Sequence, residues 1–121
     1  MTSLIGGFTL ATPVVHAQAI HTDATGLVVG DVAIPVADGH LPGYLARPEG
    51  DGRFPIVLVN EEIFGVHEYI RDVCRRLARL GYLAIAPEVY ARQGDLATMT
   101  DTATIWREVI SRKPDAELMS D

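Results

Sequence analysis

Two adjacent carboxylates close an apolar run near the middle of the chain. Residues 54–60, FPIVLVN, form a short continuous apolar segment that predicts a strand covered on both faces, as in a parallel sheet. Glu61 and Glu62 follow at once, and Ile63 and Phe64 return to apolar character. A solvated strand end is one interpretation of this pattern. The other is a carboxylate held at the carboxyl edge of an α/β sheet, where such folds place their active sites.

The other reactive side chains favour structural roles. The four histidines have no metal-ligand spacing, and surface positions are expected for all of them: His16, His21, His40 and His67. Cys74 is the only cysteine, and its place on an apolar helical stripe indicates a buried packing residue. Arg75 and Arg76 are interpreted as a solvated helix face. The sequence contains no G-x-S-x-G or G-x-C-x-G nucleophile elbow and no glycine-rich phosphate loop. No metal or cofactor is predicted.

Composition limits the classes of protein and of partner. The length of 121 residues suits one small domain, and a hydrophobic content of 48% is typical of a chain that forms a core. The net charge of −6 offers no basic face for nucleic acid or for an anionic membrane. We therefore expect neither as a partner.

The elements that must position the acids begin with a hairpin. Residues 31–38 carry Val32, Ile34 and Val36 at alternate positions, which predicts a strand, and Pro35 indicates that it lies at a sheet edge. The Asp-Gly pair at the start of DGH, residues 38–40, is typical of a hairpin turn. Residues 41–48 are then the partner strand.

The clearest helix is predicted over residues 67–80. Its apolar stripe consists of Ile70, Val73, Leu77 and Leu80. Asp72 and Arg76 are spaced for an i,i+4 ion pair, and Gly81 is a typical residue just past a helix end. Together with the strand before it, the helix leads into a second buried strand over residues 82–87, so a βαβ unit is expected.

The last part of the chain, residues 95–121, predicts a polar loop and two helices. The first is amphipathic, lies around residues 101–112 and carries Trp106. The second begins near Pro114, since proline is well suited to the start of a helix.

The first 19 residues have the features of an incomplete export signal. Residues 3–15 form an apolar run too short for a membrane span, and Ala17-Gln18-Ala19 has the small-x-small form of a signal-peptidase site. No Lys or Arg precedes Arg47, so the basic start of a signal is missing. The segment is therefore predicted to be a signal remnant that directs the protein to the periplasm or outside the cell. An apolar tail on a cytoplasmic protein is the alternative.

Residues 55–95 resemble the dienelactone hydrolase family, the carboxymethylenebutenolidases, which are α/β-hydrolases. The family pattern Gln-Glu-Ile-Phe-Gly is matched here by Glu61 to Gly65, with Glu61 in place of Gln. The pattern Ala-Pro-Asp-Leu-Tyr-Ala-Arg-Gln is matched by residues 86–93, Ala-Pro-Glu-Val-Tyr-Ala-Arg-Gln. The resemblance covers about a third of the chain.

The resemblance implies a role for each residue of the strand end. Family members use a Cys-His-Asp triad, and all three members fall beyond Asp121 here. Glu62 matches the carboxylate that lies beside the thiol and tunes it. The backbone N–H of Ile63 matches a donor of the oxyanion hole, and Ile63 and Phe64 would anchor the turn that aims it. Glu61 has no matching role, and either solvent or a supporting contact is expected for it.

The resemblance also implies an α/β fold that is incomplete. Residues 20–121 would be the N-terminal part of an α/β-hydrolase, with the hairpin and then a βαβ unit of a mostly parallel sheet, truncated before the nucleophile elbow. The expected function is hydrolysis of small-molecule carboxylic esters or lactones, with the missing C-terminal half as a further partner if it is a separate chain. The alternative is a non-catalytic fragment or binding module. Residues 56–60 would then form a sheet edge that is unpaired on one side.

Overall fold

A computed structural model describes residues 20–121. The predictions of a signal remnant and of a cleavage site at Ala17 to Ala19 lie outside these residues. The strands of the described part are β1 (Leu27–Val36), β2 (Gly39–Pro48), β3 (Ile56–Leu58) and β4 (Leu83–Pro87). The helices are α1 (Glu68–Arg79), α2 (Thr102–Glu108) and α3 (Asp115–Ser120), with 3₁₀ turns at Leu96–Thr98 and Ile110–Arg112. No helix of this part is long and apolar enough to cross a bilayer.

The strands form one mixed sheet in the order β1-β2-β4-β3. The predicted hairpin is confirmed: β1 and β2 pair antiparallel from Leu27 opposite Pro48 to Val36 opposite Gly39. β1 lies at the edge of the sheet, as Pro35 predicts, because a residue without an N–H is tolerated there. The strand begins at Leu27, earlier than the alternation of apolar residues indicates.

The predicted βαβ unit is also confirmed. β3 and β4 pair parallel, and α1 connects them. Ile70, Cys74 and Ala78 of α1 are buried against a sheet face that includes Ala46 and Ala84. These alanines let the helix approach the sheet closely, and this contact is the larger apolar core of the described residues.

Leu80 is not part of the buried stripe, although the periodicity predicts it. Its relative exposure is 74%, and it is the C-cap of α1. The predicted end of the helix is confirmed, since Gly81 follows with a φ of 96° that favours glycine. Because the chain leaves the helix axis there, Leu80 lies beyond the last turn that faces the sheet.

Arg75 is buried, so its interpretation as part of a solvated face is wrong. Its guanidinium donates to the Tyr44 hydroxyl at 3.3 Å and also contacts Glu68 and Asp72. Asp72 accepts a hydrogen bond from the Thr22 N–H and forms the predicted ion pair with Arg76, at 2.9 Å. The residues around Thr22 thus cover a charged patch of α1 that local periodicity assigns to solvent.

Strand β3 differs from its prediction. It is only three residues long, and Ile56 and Leu58 are 72% and 62% exposed. The prediction of a strand covered on both faces is therefore wrong for residues 20–121. The predicted unpaired edge is confirmed, because β4 is the only neighbour of β3 in the strand order of this part of the chain.

The C-terminal part adds a second, smaller apolar cluster. Both predicted helices are present, although α2 ends at Glu108 and a 3₁₀ turn follows it. Leu96, Ile105 and Val109 are buried together, and Ile63 packs against them from the end of β3. This cluster joins the C-terminal helices to the segment that carries the acids.

Candidate active site

The segment after β3 is a tight turn. The Val59 N–H still donates to the Ile85 carbonyl at 2.8 Å, which continues the parallel pairing just past the strand. The chain then reverses over Glu62 to Gly65, where the Gly65 N–H donates to the Glu62 carbonyl at 2.9 Å. Gly65 has a φ of 77°, a conformation that side chains with a Cβ rarely adopt. We call residues 62–65 the acid turn.

Ile63 anchors the acid turn and leaves a backbone donor open. Its side chain packs against the cluster of Leu96, Ile105 and Val109. Within residues 20–121 its N–H has no hydrogen-bond acceptor. Phe64 does not share the anchoring role predicted for it, since it is 37% exposed. A fixed N–H without an acceptor is what an oxyanion site needs.

Glu62 is open to solvent and lies beside a histidine. Its side chain is 55% exposed, and its Oε2 lies 3.4 Å from Nε2 of His67. His67 is the N-cap of α1, and its Nδ1 accepts from the Tyr69 N–H at 3.3 Å. A neutral ring that accepts at Nδ1 carries its proton on Nε2, which therefore donates toward Glu62. Sequence reasoning missed this pair: it predicts only a surface position for His67, and no motif links His67 to Glu62 five residues earlier.

Glu61 points the other way, into the protein. Its Oε1 accepts a hydrogen bond from the Tyr90 N–H at 3.2 Å, and its Oε2 is buried without a partner within residues 20–121. Burial raises the pKa of Glu61 to about 7 and the nearby charge of Glu88 raises it further, against the backbone N–H groups of Tyr90 and Val89, which favour the carboxylate. Of the two expectations for Glu61, the supporting contact is the one observed. The family pattern could have indicated this buried position, because it has Gln where this chain has Glu61, and a neutral amide suits a partly buried polar site.

A cleft of about 440 Å³ adjoins Glu61. It lies between the ends of β3 and β4, the segment after β4, and α3. Its apolar lining consists of Ile34, Leu58, Ile85, Pro87, Val89, Leu118 and Met119. Its polar lining consists of Asn60, Glu61, Tyr90 and Asp121. Mostly apolar walls with a few polar groups are typical of small-molecule sites.

Cys74 is not part of this site. The thiol is fully buried in the packing of α1 on the sheet, as predicted, and burial raises its pKa to about 11. A buried, protonated thiol is a poor nucleophile. The described residues also contain no group of three His, Cys, Asp or Glu side chains that could hold a metal ion. Residues 20–121 thus provide an exposed carboxylate and a backbone donor on the acid turn, and a cleft beside Glu61 whose lining includes neither Glu62 nor Ile63.

Comparison with known proteins gives a consistent result. The model of the dienelactone hydrolase family matches residues 41–121. A Methylorubrum extorquens protein that carries the name carboxymethylenebutenolidase is 59% identical over 121 residues, which is 99% of this chain and 42% of that protein. An Escherichia coli protein with the same name is 42% identical over 116 residues, which is 95% of this chain and 43% of that protein.

A solved structure shares the fold. A crystal structure from Klebsiella pneumoniae, named as a dienelactone hydrolase, superposes with a TM-score of 0.73 at 52% identity. The match covers 78% of this chain and 40% of that one. The chain thus spans about two fifths of the length of the relatives that it matches.

Proposed function

Since the chain belongs to the dienelactone hydrolase family, we propose that it forms the N-terminal part of a hydrolase of carboxylic esters or lactones. Its fold is the corresponding part of an α/β-hydrolase, a mixed sheet with α1 packed against it. The domain of this proposal comprises residues 20–121 together with a further segment that supplies the Cys-His-Asp triad. That segment is the partner that the family membership implies.

The acid turn carries the proposal. It lies directly after β3, and the outer edge of β3 is unpaired within residues 20–121. A further strand on that edge would end next to the turn, because the carboxyl ends of neighbouring parallel strands meet at one edge of a sheet. A nucleophile after such a strand would come close to Glu62 and to the Ile63 N–H.

We assign separate tasks to these two groups. Glu62 tunes the thiol, since a neighbouring carboxylate controls whether the nucleophile is present as thiol or thiolate. The thiolate attacks the carbonyl carbon of the ester, and the Ile63 N–H stabilises the negative oxygen that forms. One such donor contributes about 3–4 kcal/mol to transition-state stabilisation. The cleft beside Glu61 suits the apolar part of a small ester or lactone.

A chimera tests this assignment. Residues 1–121 are fused to the part of the Methylorubrum extorquens relative that follows its matched region. We expect this chimera to hydrolyse an activated ester or a dienelactone, and we expect the 121-residue chain alone to show no turnover above buffer. The only thiol of the sequence, that of Cys74, is buried in the core, so the chain alone offers no accessible cysteine nucleophile.

Two matched substitutions locate the acid in the chimera. Glu62→Gln should lower kcat/KM about 10²-fold or more without changing the melting temperature, because the exposed carboxylate contributes to the reaction and not to packing. Glu49→Gln, on an exposed loop, is the control. Equal effects of the two substitutions would remove Glu62 from the mechanism. An inactive chimera that folds normally would favour the alternative of a non-catalytic binding module.

We further propose that Ala17-Gln18-Ala19 is a processing site and that the protein acts in the periplasm. The Thr22 N–H binds Asp72 and the Asp23 carboxylate binds Arg79 at 2.7 Å, so a chain cut after Ala19 would stay attached to α1. N-terminal sequencing of protein expressed with a complete leader tests this. A mature protein that begins at Ile20 is expected, and one that retains Ala19 would contradict the proposal.

A further inference from the structure

Glu61 joins two segments of the site and has no part in the reaction proposed above. Its Oε1 accepts a hydrogen bond from the Tyr90 N–H at 3.2 Å. Its Oε2 lies 3.5 Å from the position that a Cβ on Gly65 would occupy, against the last residue of the acid turn. The side chain therefore spans the distance from the turn to the segment that follows β4.

The surroundings of Glu61 suit a neutral carboxyl group better than a carboxylate. Oε2 is buried and has no hydrogen-bond partner within residues 20–121. A buried oxygen without a partner is far more costly when it is ionised than when it is neutral. The hydrogen bond from Tyr90 survives protonation, because Oε1 can accept it as the carbonyl oxygen of the acid.

Charged groups reach Glu61 from each neighbouring element. Glu88, after β4, opposes its ionisation, and Lys113 favours it. The Lys113 ammonium is shared, however, with Glu117 at 3.2 Å and with Asp121 at 2.5 Å, and Asp121 lines the same cleft as Glu61. Lys113 therefore supplies little net positive charge to Glu61. Burial remains the largest cause of a pKa that is raised to about 7.

We propose that Glu61 is a positioning residue that acts in its protonated form, with the neutral carboxyl bracing the acid turn against Tyr90. Ionisation places a charge with one unpartnered oxygen, Oε2, between the two segments, and the turn loses this support as the charge draws in water. The brace is a property of residues 20–121, and only its catalytic consequence rests on the proposed function. A Gln side chain has the same shape and hydrogen-bonding pattern as the protonated acid, so Glu61→Gln fixes the brace in its working form.

The first test measures stability against pH in the 121-residue chain. A carboxyl whose folded pKa is raised from 4.5 to about 7 contributes its full stability below the lower value and loses it as pH rises through the higher one. We expect Glu61→Gln to have the same melting temperature as the unsubstituted chain near pH 4, below the lower value, and a melting temperature about 4–8 °C higher near pH 8. Glu49→Gln, the exposed control, should have the same melting temperature as the unsubstituted chain at both pH values.

The second test measures kcat/KM against pH in the chimera. The ratio of the Glu61→Gln activity to the unsubstituted activity should be near one below pH 6 and rise severalfold by about pH 8.5. Carbon-13 NMR of the Glu61 carboxyl, read in the chimera as well as in the short chain, should give a midpoint near 7 in both. If the 121-residue chain associates with itself, the titration of Glu61 can still be measured in the chimera.

The outcomes separate the two proposals. If the chimera is inactive but Glu61→Gln still melts above the unsubstituted protein near pH 8, the hydrolase assignment is overturned and the brace is supported. Equal melting of the Glu61→Gln and unsubstituted proteins at every pH would overturn the brace, as would a carboxyl midpoint near 4.5. A pH-independent loss of stability in Glu61→Gln would overturn it too, because an isosteric neutral group should support the turn.

Discussion

The two strands that flank β4 lie in different environments. On one side, β4 pairs with β2 under α1, and Ala84 and Cys74 are fully buried. On the other side it pairs with β3, where Ile56 and Leu58 are 72% and 62% exposed. Apolar residues form both regions. The difference shows that burial here depends on what packs over a strand and not on the strand's own composition.

Charge strengthens the contrast. Over α1, Asp72 and Arg75 are buried in a network that also holds the residues around Thr22. The side chain of Asp72 is inaccessible to solvent because its arginine partners and that segment cover it. It lies near the protein surface and not in the apolar core. Strand β3 consists of Ile56, Val57 and Leu58 and contains no charged residue that could form such a network. Helix α1 covers the sheet face at β2 and β4, whereas the outer edge of β3 is unpaired within residues 20–121.

The largest expected effect compares two apolar truncations. Ile70→Ala, under α1, should lower the free energy of unfolding by about 2–5 kcal/mol, because it leaves a cavity in a packed core. Leu58→Ala, on β3, should change it by less than about 0.5 kcal/mol, because that side chain is already in water. Urea unfolding of both variants measures the difference. Similar losses would show that β3 is covered in solution.

A smaller effect is expected for the charge network. Asp72→Ala removes the partner of two arginines and of the Thr22 N–H, and should cost about 1.5–3 kcal/mol. Because Asp72 lies near the protein surface, water can partly solvate Arg75 in the variant, which limits the loss of unfolding free energy. Asp51→Ala, on an exposed loop, is the control. A neutral result for Asp72→Ala in chemical unfolding would mean that the segment around Thr22 does not hold to α1.

The smallest effect on stability concerns the edge itself. Leu58→Lys should leave the unfolding free energy within about 0.5 kcal/mol but reduce self-association, because lysine on an edge strand discourages pairing with another chain. Leu80→Lys, at another exposed leucine, adds the same charge away from the edge and serves as control. Sedimentation velocity compares the two. Equal association of both variants and the unsubstituted chain would show that β3 is not the contact.

Much of the fold could be predicted from the sequence. The hairpin, the helix over residues 67–80, its end at Gly81 and the buried Cys74 all follow from alternation, helical periodicity and glycine preference. These signals are local, since each depends on residues within a few positions of one another. The Glu61 and Glu62 pair could be located in the same way, as acids directly after an apolar run.

Environments set by distant residues were not predictable. Periodicity placed Arg75 in solvent because it carries no information about the residues around Thr22, which cover it from 50 positions away along the chain. It placed β3 in a covered interior because an apolar run predicts burial without saying whether a covering layer is present.

The local sequence is enough to show that two carboxylates end a strand and that a glycine turns the chain behind them. How the two acids differ depends on the packing of residues that are distant in the chain. Successive side chains of an extended segment point to opposite sides, so Glu62 lies exposed beside His67, and Glu61 turns in to meet the Tyr90 N–H. Which side is the interior depends on where the Leu96 cluster and the segment after β4 pack. Those residues lie about 30 to 50 positions further along the chain, so their position comes from folding and not from the local pattern.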